Sequence, residues 1–170
     1  FRSIKDNTVH RPAEAEAWFH VLDIANKTPQ ETLEQASRGR VTFMQLFRQP
    51  DLYRAELVSV AGKVHRVVPQ EITTNYVNLT GKYYQIWLQP ENSAHPIVVY
   101  ALSLPPDFPV AMEMSEPAEV TGFFFKIWAY PAKNEPRTAP VLLAKTLRWK
   151  EERVKQKFDR PTPVAQEPAK

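Results

Sequence analysis

The sequence has no cysteine, and only four glycines in 170 residues. Without cysteine there are no disulfides, no thiolate nucleophile and no thiolate metal site. Four scattered glycines cannot build a glycine-rich phosphate loop, and no G-x-S-x-G elbow marks a serine nucleophile. No apolar run approaches the roughly 20 residues that span a bilayer. Charge of one sign is also scarce. The formal net charge is +3, which argues weakly for a nucleic-acid footprint because the Lys and Arg residues are not clustered on one stretch. The chain opens at Phe1 without a signal-peptide pattern, and reads as a trimmed piece of a longer protein.

What is present suits a globular domain. Hydrophobic residues make up 43% and charged residues 24%, so a core can form. The sixteen prolines favour rigid loops and extended tails. Residues 1–11 are polar and are expected to be loose. Pro12 opens a helical pattern in which Ala13, Ala17, Val21 and Ile24 lie on one side, with Trp18, Leu22 and Ala25 beside them. A second helix is expected from Thr28, with Thr28 as cap, Pro29 in the first turn, Glu31 completing a capping box, and an end near Ser37 and Gly39. Thr42 is placed to cap a short helix that Pro50 and Asp51 break.

From Glu56 the texture changes to five β-rich runs. They are Leu57–Val68, Tyr83–Gln89, Ile97–Leu102, Ala118–Tyr130 and Val141–Trp149. In the first, Val58, Val60, Val64 and Val68 share a parity; in the second, Tyr84, Ile86 and Leu88 oppose Tyr83, Gln85, Trp87 and Gln89. Gly62 and Gly122 interrupt the two longest runs, as bulges or bends do. Long strands bent at glycine can serve both halves of a small closed barrel. The pattern predicts a mainly β fold, a five-stranded OB-like Greek-key barrel over 41–150, preceded by a helical extension over 1–40 that packs on it. The connection 103–116 is too rich in proline for a regular helix, so an irregular loop or the N-terminal helices should close that end. Lys150 starts a charged run that reads as a short solvated helix, and 159–170 as a proline-rich linker.

No local motif carries a catalytic signature, and a site assembled from residues distant in sequence stays open as an alternative. His10, His20, His65 and His95 share no metal-ligand spacing and are expected to be solvated or locally bonded. Glu113 and Glu116 lie on a loop, and Glu151 and Glu152 in the charged run, where carboxylates are ordinarily surface groups. Asn26-Lys-Thr28 and Asn78-Leu-Thr80 match the glycosylation tripeptide, which is common by chance. The expectation is a chain without catalytic residues, metal or cofactor.

The aromatics are the richest signal. With Tyr84, Ile86 and Leu88 inward, Tyr83 and Trp87 point outward. With Phe123, Phe125 and Ile127 inward, Phe124, Lys126, Trp128 and Tyr130 do the same. Tyr83, Trp87, Lys126, Trp128 and Tyr130 are therefore the candidate ligand-binding residues. Rings interleaved with cations such as Lys82, Lys126, Lys133 and Arg148 are what a single-stranded nucleic acid needs, since bases stack and phosphates pair. An OB ligand face uses the second and third strands with the loops 69–82 and 131–138, and can also take an oligosaccharide. The competing reading is that these aromatics pack beneath Trp18, Phe19, Val21 and Leu22 of the first helix. Glu56, Glu71, Glu91 and Glu119 argue against nucleic acid without removing it, and favour a protein partner or other domains of the same chain.

The stretch Gly122-Phe-Phe-Phe-Lys-Ile-Trp-Ala-Tyr130, with Ala139-Pro-Val-Leu-Leu-Ala-Lys145 and Arg148-Trp149, resembles uncharacterised OB-like domains in envelope proteins of planctomycete-type bacteria. The resemblance covers roughly 41–150. It implies an ectodomain of a membrane-anchored envelope protein, with the membrane reached only through segments outside this chain. It implies no activity and transfers no functional residue.

Overall fold

The fold was obtained as a computed structural model, which describes residues 1–76 and 78–150. After a single 3₁₀ turn at Pro12–Glu14 come four short helices: α1 (Ala15–Lys27), α2 (Gln30–Ala36), α3 (Phe43–Arg48) and α4 (Pro50–Tyr53). Six strands follow: β1 (Leu57–Glu71), β2 (Lys82–Pro90), β3 (Ile97–Ala101), β4 (Glu116–Tyr130), β5 (Arg137–Ala144) and β6 (Arg148–Trp149). The expected fifth run is thus two strands. The charged run after Lys150 and the proline-rich tail lie outside the described residues.

The strands form one mixed sheet in the order β1-β2-β3-β5-β4-β6, and an additional β1–β4 pairing joins five of them in a ring. β3 and β5 run parallel; the other pairings are antiparallel. The two long strands each serve two neighbours. β1 pairs with β4 from Leu57 to Val64 and with β2 from Gly62 to Glu71. β4 pairs with β1 up to Phe123 and with β5 from Gly122 to Tyr130.

Each glycine stands where its long strand changes partner, Gly62 paired to both β2 and β4 and Gly122 to both β1 and β5, but neither is a bulge. The register shifts fall at His65 and Phe125, not at Gly62 and Gly122. Both glycines are required by close backbone approach instead. Gly62 faces Pro90 on one side and Ala118 on the other, and a Cβ there would lie 2.0 Å from the Gln89 carbonyl oxygen. A Cβ on Gly122 would lie 2.8 Å from the Leu143 carbonyl oxygen.

The bulges also reset the inward faces. In β1 they put Val58, Val60, Val64 and Val67 in the interior, replacing the expected Val68. In β4, Phe124 and Ile127 face the interior, whereas Phe123 and Phe125 belong to the outer layer. Sequence parity assigned the three phenylalanines the other way because a bulge inverts every side chain beyond it. In β2 the expected faces are observed, with Ile86 and Leu88 inside and Tyr83 and Trp87 outside. The interior is closed by Phe43, Leu46 and Tyr53 of α3 and α4 and by Phe108 of the irregular 102–115 connection.

A second apolar layer lies outside the ring. Trp18, Val21 and Leu22 of α1 cover Val98 and Tyr100 of β3, Phe125 of β4 and Val141 and Leu143 of β5. β3 is consequently buried on both faces, which explains its unbroken apolar run. The buried face of α1 is Trp18–Val21–Leu22–Ala25, while Ala13 and Ile24 of the expected stripe are exposed. Thr28 does not cap α2. Its hydroxyl donates to the Ile24 carbonyl at 2.7 Å and so closes α1, and Pro29 takes the N-cap position without a side-chain bond. Thr42 does cap α3, in a reciprocal box with Gln45.

Residues 1–11 are not loose. Beyond Phe123, β4 has no β1 partner, and the N-terminal segment takes that edge. Asp6 accepts from the Ile127 amide, Asn7 donates to the Ile127 carbonyl, and the Ala129 amide donates to Thr8. An unpaired strand edge invites association, and covering it removes that hazard.

Candidate functional site

The five sequence-selected residues separate into a covered set and an open set. Tyr83 is only 8% exposed, beneath the α1 layer. Lys126 is fully buried. Its ammonium donates to both carboxylate oxygens of Glu14 at 2.9 and 3.1 Å, to the Thr8 hydroxyl at 2.8 Å and to the Val9 carbonyl at 3.0 Å. Its protons are thus committed to the N-terminal segment. Burial depresses the Lys126 pKa, and the Glu14 partnership opposes that shift. Burial alone would raise the Glu14 carboxyl. The Lys5 amide, the Lys126 ammonium and the Arg11 amide together outweigh it and hold the carboxyl below its usual range.

Trp87, Trp128 and Tyr130 form the open set. They come together half-buried on the outer face, where α1 does not reach. Ring centroids are 6.0 Å apart for Trp87–Trp128, 5.1 Å for Trp87–Tyr130 and 5.3 Å for Trp128–Tyr130. They line a solvent-open groove of about 800 Å³. Its other walls are His65 and Arg66 of β1, Leu88 and Gln89 of β2, Pro96 before β3, Met112–Met114 of the 102–115 connection, Pro131 and Ala132 after β4, and Arg137 at the start of β5. The Arg66 guanidinium lies over the Trp87 ring at 5.9 Å. Arg66 and Arg137 are exposed, and among the described residues neither is in an ion pair. Glu113 is the only carboxylate on the lining.

The loop 69–82, expected at the ligand face, is elsewhere. It packs towards α1, where Leu79 is buried and the Asn26 side chain donates to the Asn78 carbonyl. Met112, 58% exposed, and Arg66 were missed as lining residues. Their presence depends on the 102–115 connection running beside β1, where the Met114 and Val67 amides bond to the carbonyls of His65 and Ala111. No local sequence signal encodes that pairing.

The groove floor is fixed from below. The Trp87 indole donates to Gln85 Oε1 at 3.0 Å, Gln85 Nε2 donates to the Tyr100 hydroxyl at 2.8 Å, and that hydroxyl lies 3.0 Å from His10 Nε2. His10 stacks on Trp128 at 4.5 Å and 9°. Burial, then the nearby Lys126 charge, lowers the His10 pKa to about 4. A neutral imidazole accepting from Tyr100 fits this arrangement. Burial raises the Tyr100 hydroxyl well above its usual range. The N-terminal segment is therefore part of the support for Trp128.

Among the described residues, no group of three His, Asp or Glu side chains is arranged to hold a metal ion, and no helix is long and apolar enough to cross a membrane. The chain matches no family model and no curated protein.

Proposed function

We propose that this chain is a non-catalytic, OB-like binding module that engages its ligand in the Trp87–Trp128–Tyr130 groove. The observation that carries the reading is the uncovered aromatic cluster beside two guanidiniums that lack a carboxylate partner. The adjoining outer layer is packed by α1, Ile4, Ile72, Tyr76 and Leu79, and the three aromatics stay half-exposed beside it. The ring order β1-β2-β3-β5-β4 supports the OB-like assignment, because a five-stranded Greek-key barrel closes in that way. The committed protons of Lys126 weigh against its acting as a nucleophile.

The test is an array of glycans, oligonucleotides and peptides probed with the full chain. Capture should be lost in Trp87→Ala and Tyr130→Ala, and retained in Phe47→Ser, a change at a partly exposed α3 residue outside the groove lining. Capture unaffected by both groove substitutions overturns the reading. The further proposal, an ectodomain of a membrane-anchored envelope protein, rests on the family resemblance. A full-length gene product without a membrane span would remove it.

A further inference from the structure

We infer that the groove takes an acidic oligosaccharide, a chain of sugar rings bearing carboxylates; this rests on the groove being the ligand site. Three features of the lining lead to this class. The first is charge. Arg66 and Arg137 face a lining whose one carboxylate is Glu113, and the His65 ring adds a hydrogen-bonding edge. The site is complementary to an anion, and guanidinium forks match carboxylates two bonds at a time. The second is ring geometry. The three aromatic planes are inclined at 50°, 79° and 37° to one another, so no parallel pair exists to clamp a flat base. One face of Trp128 already carries His10, and Arg66 lies over Trp87. What remains is a run of inclined ring surfaces. Successive puckered sugar rings, each presenting a C–H face at its own angle, fit such a run better than stacked bases do. The third is the number of cations. A nucleic-acid strand carries a phosphate at every nucleotide and is held by many cations, whereas this groove offers two.

The shape agrees with an extended ligand. The groove is bounded by β1, β2, the end of β4, the start of β5 and three connections, and it is open to solvent rather than enclosed. Met112 on the rim, 58% exposed, is a flexible apolar side chain that can adapt to a sugar edge.

The test follows the four indole N–H resonances of the full chain by NMR, with Trp87 and Trp128 assigned through Trp87→Phe and Trp128→Phe. Three probes are titrated: a short oligogalacturonate, its methyl ester, and an oligothymidylate of matching length. The inference expects saturable shifts of the Trp87 and Trp128 indoles with oligogalacturonate. Affinity should fall about tenfold or more both for the ester and for the Arg66→Gln/Arg137→Gln double variant. Both arginines are exposed, so that variant should keep its fold; Arg66 lies over Trp87, so the Trp87 indole is referenced to the variant's own unliganded position. Equal affinity for acid and ester overturns the carboxylate assignment. Indole shifts from oligothymidylate but not from oligogalacturonate overturn the sugar assignment and leave the groove reading standing. If the groove indoles respond to none of these probes, nor to any ligand captured on the array, both readings fall together.

Discussion

At the scale of single residues, the most exacting contact is the Lys126–Glu14 pair. Its side chains are 0% and 4% exposed, so neither charge has water to fall back on. Removing one partner of such a pair leaves an uncompensated buried charge. Glu14→Ala should therefore destabilise the fold by about 3–5 kcal/mol. Replacing both partners with apolar residues of similar volume should recover only part of that loss, because the Lys5 and Arg11 amides lose their acceptor, as denaturant titration of the single and double variants would show. His10 yields a pH signature. Its folded pKa of about 4 lies below the ordinary 6.5, so between these values the unfolded chain binds the proton more readily. Stability should be unaffected by His10 above pH 6.5, decline as pH falls towards 4, and gain no further His10 penalty below that. A His10→Gln variant should show a flatter profile through this window in a series of thermal melts, and the imidazole resonance of the native chain should titrate near pH 4.

At the scale of elements, two glycines and two bulges govern the ring. Gly62 stands where β1 is paired on both sides, and no rotamer change can relieve a Cβ 2.0 Å from a backbone oxygen. Gly62→Ala should cost about 3 kcal/mol or prevent folding, measured as a lowered urea midpoint or loss of soluble protein. The sequence marked both glycines as special positions, and that much was correct. It could not distinguish a bend from a close approach, because both require a missing Cβ. The bulges were not legible either. His65 and Phe125 have ordinary β-forming neighbours, and only pairing with the partner strand reveals the extra residue. For this reason the alternation in β2, which has no shift within it, was read correctly, whereas the phenylalanines of β4 were assigned to the wrong faces. Thr28 and Thr42 show the same limit on a smaller scale. Both fit the capping pattern, but Thr28 is used by the helix before it.

At the scale of the whole molecule, the N-terminal segment links the fold to the groove. It covers the free edge of β4, neutralises Lys126 and stacks His10 beneath Trp128. Asp6 adds an ion pair with Arg54, whose guanidinium also donates to the Phe125 carbonyl. Deleting residues 1–14 should expose an unpaired strand edge and release Trp128. The truncated chain should self-associate in light scattering and, if it folds, bind groove ligands more weakly than the full chain. The opposite outcome, a monomer with unchanged affinity, would show that the segment is an ornament to the ring.

From the sequence alone came the β-rich character of 57–149, the α1 face that needed a partner, the Thr42 cap and the outward placement of Trp87, since alternation and apolar spacing are local properties of a chain. Which aromatics would be covered was decided only in three dimensions. Tyr83 and Trp87 lie four residues apart on the same face of one strand, yet α1 buries the first and leaves the second at the groove. Lys126 looked like a surface cation because nothing near it in sequence could neutralise it. Its carboxylate partner stands 112 residues away, and chain closure over that distance is a matter of tertiary packing, on which local residue pattern carries no information.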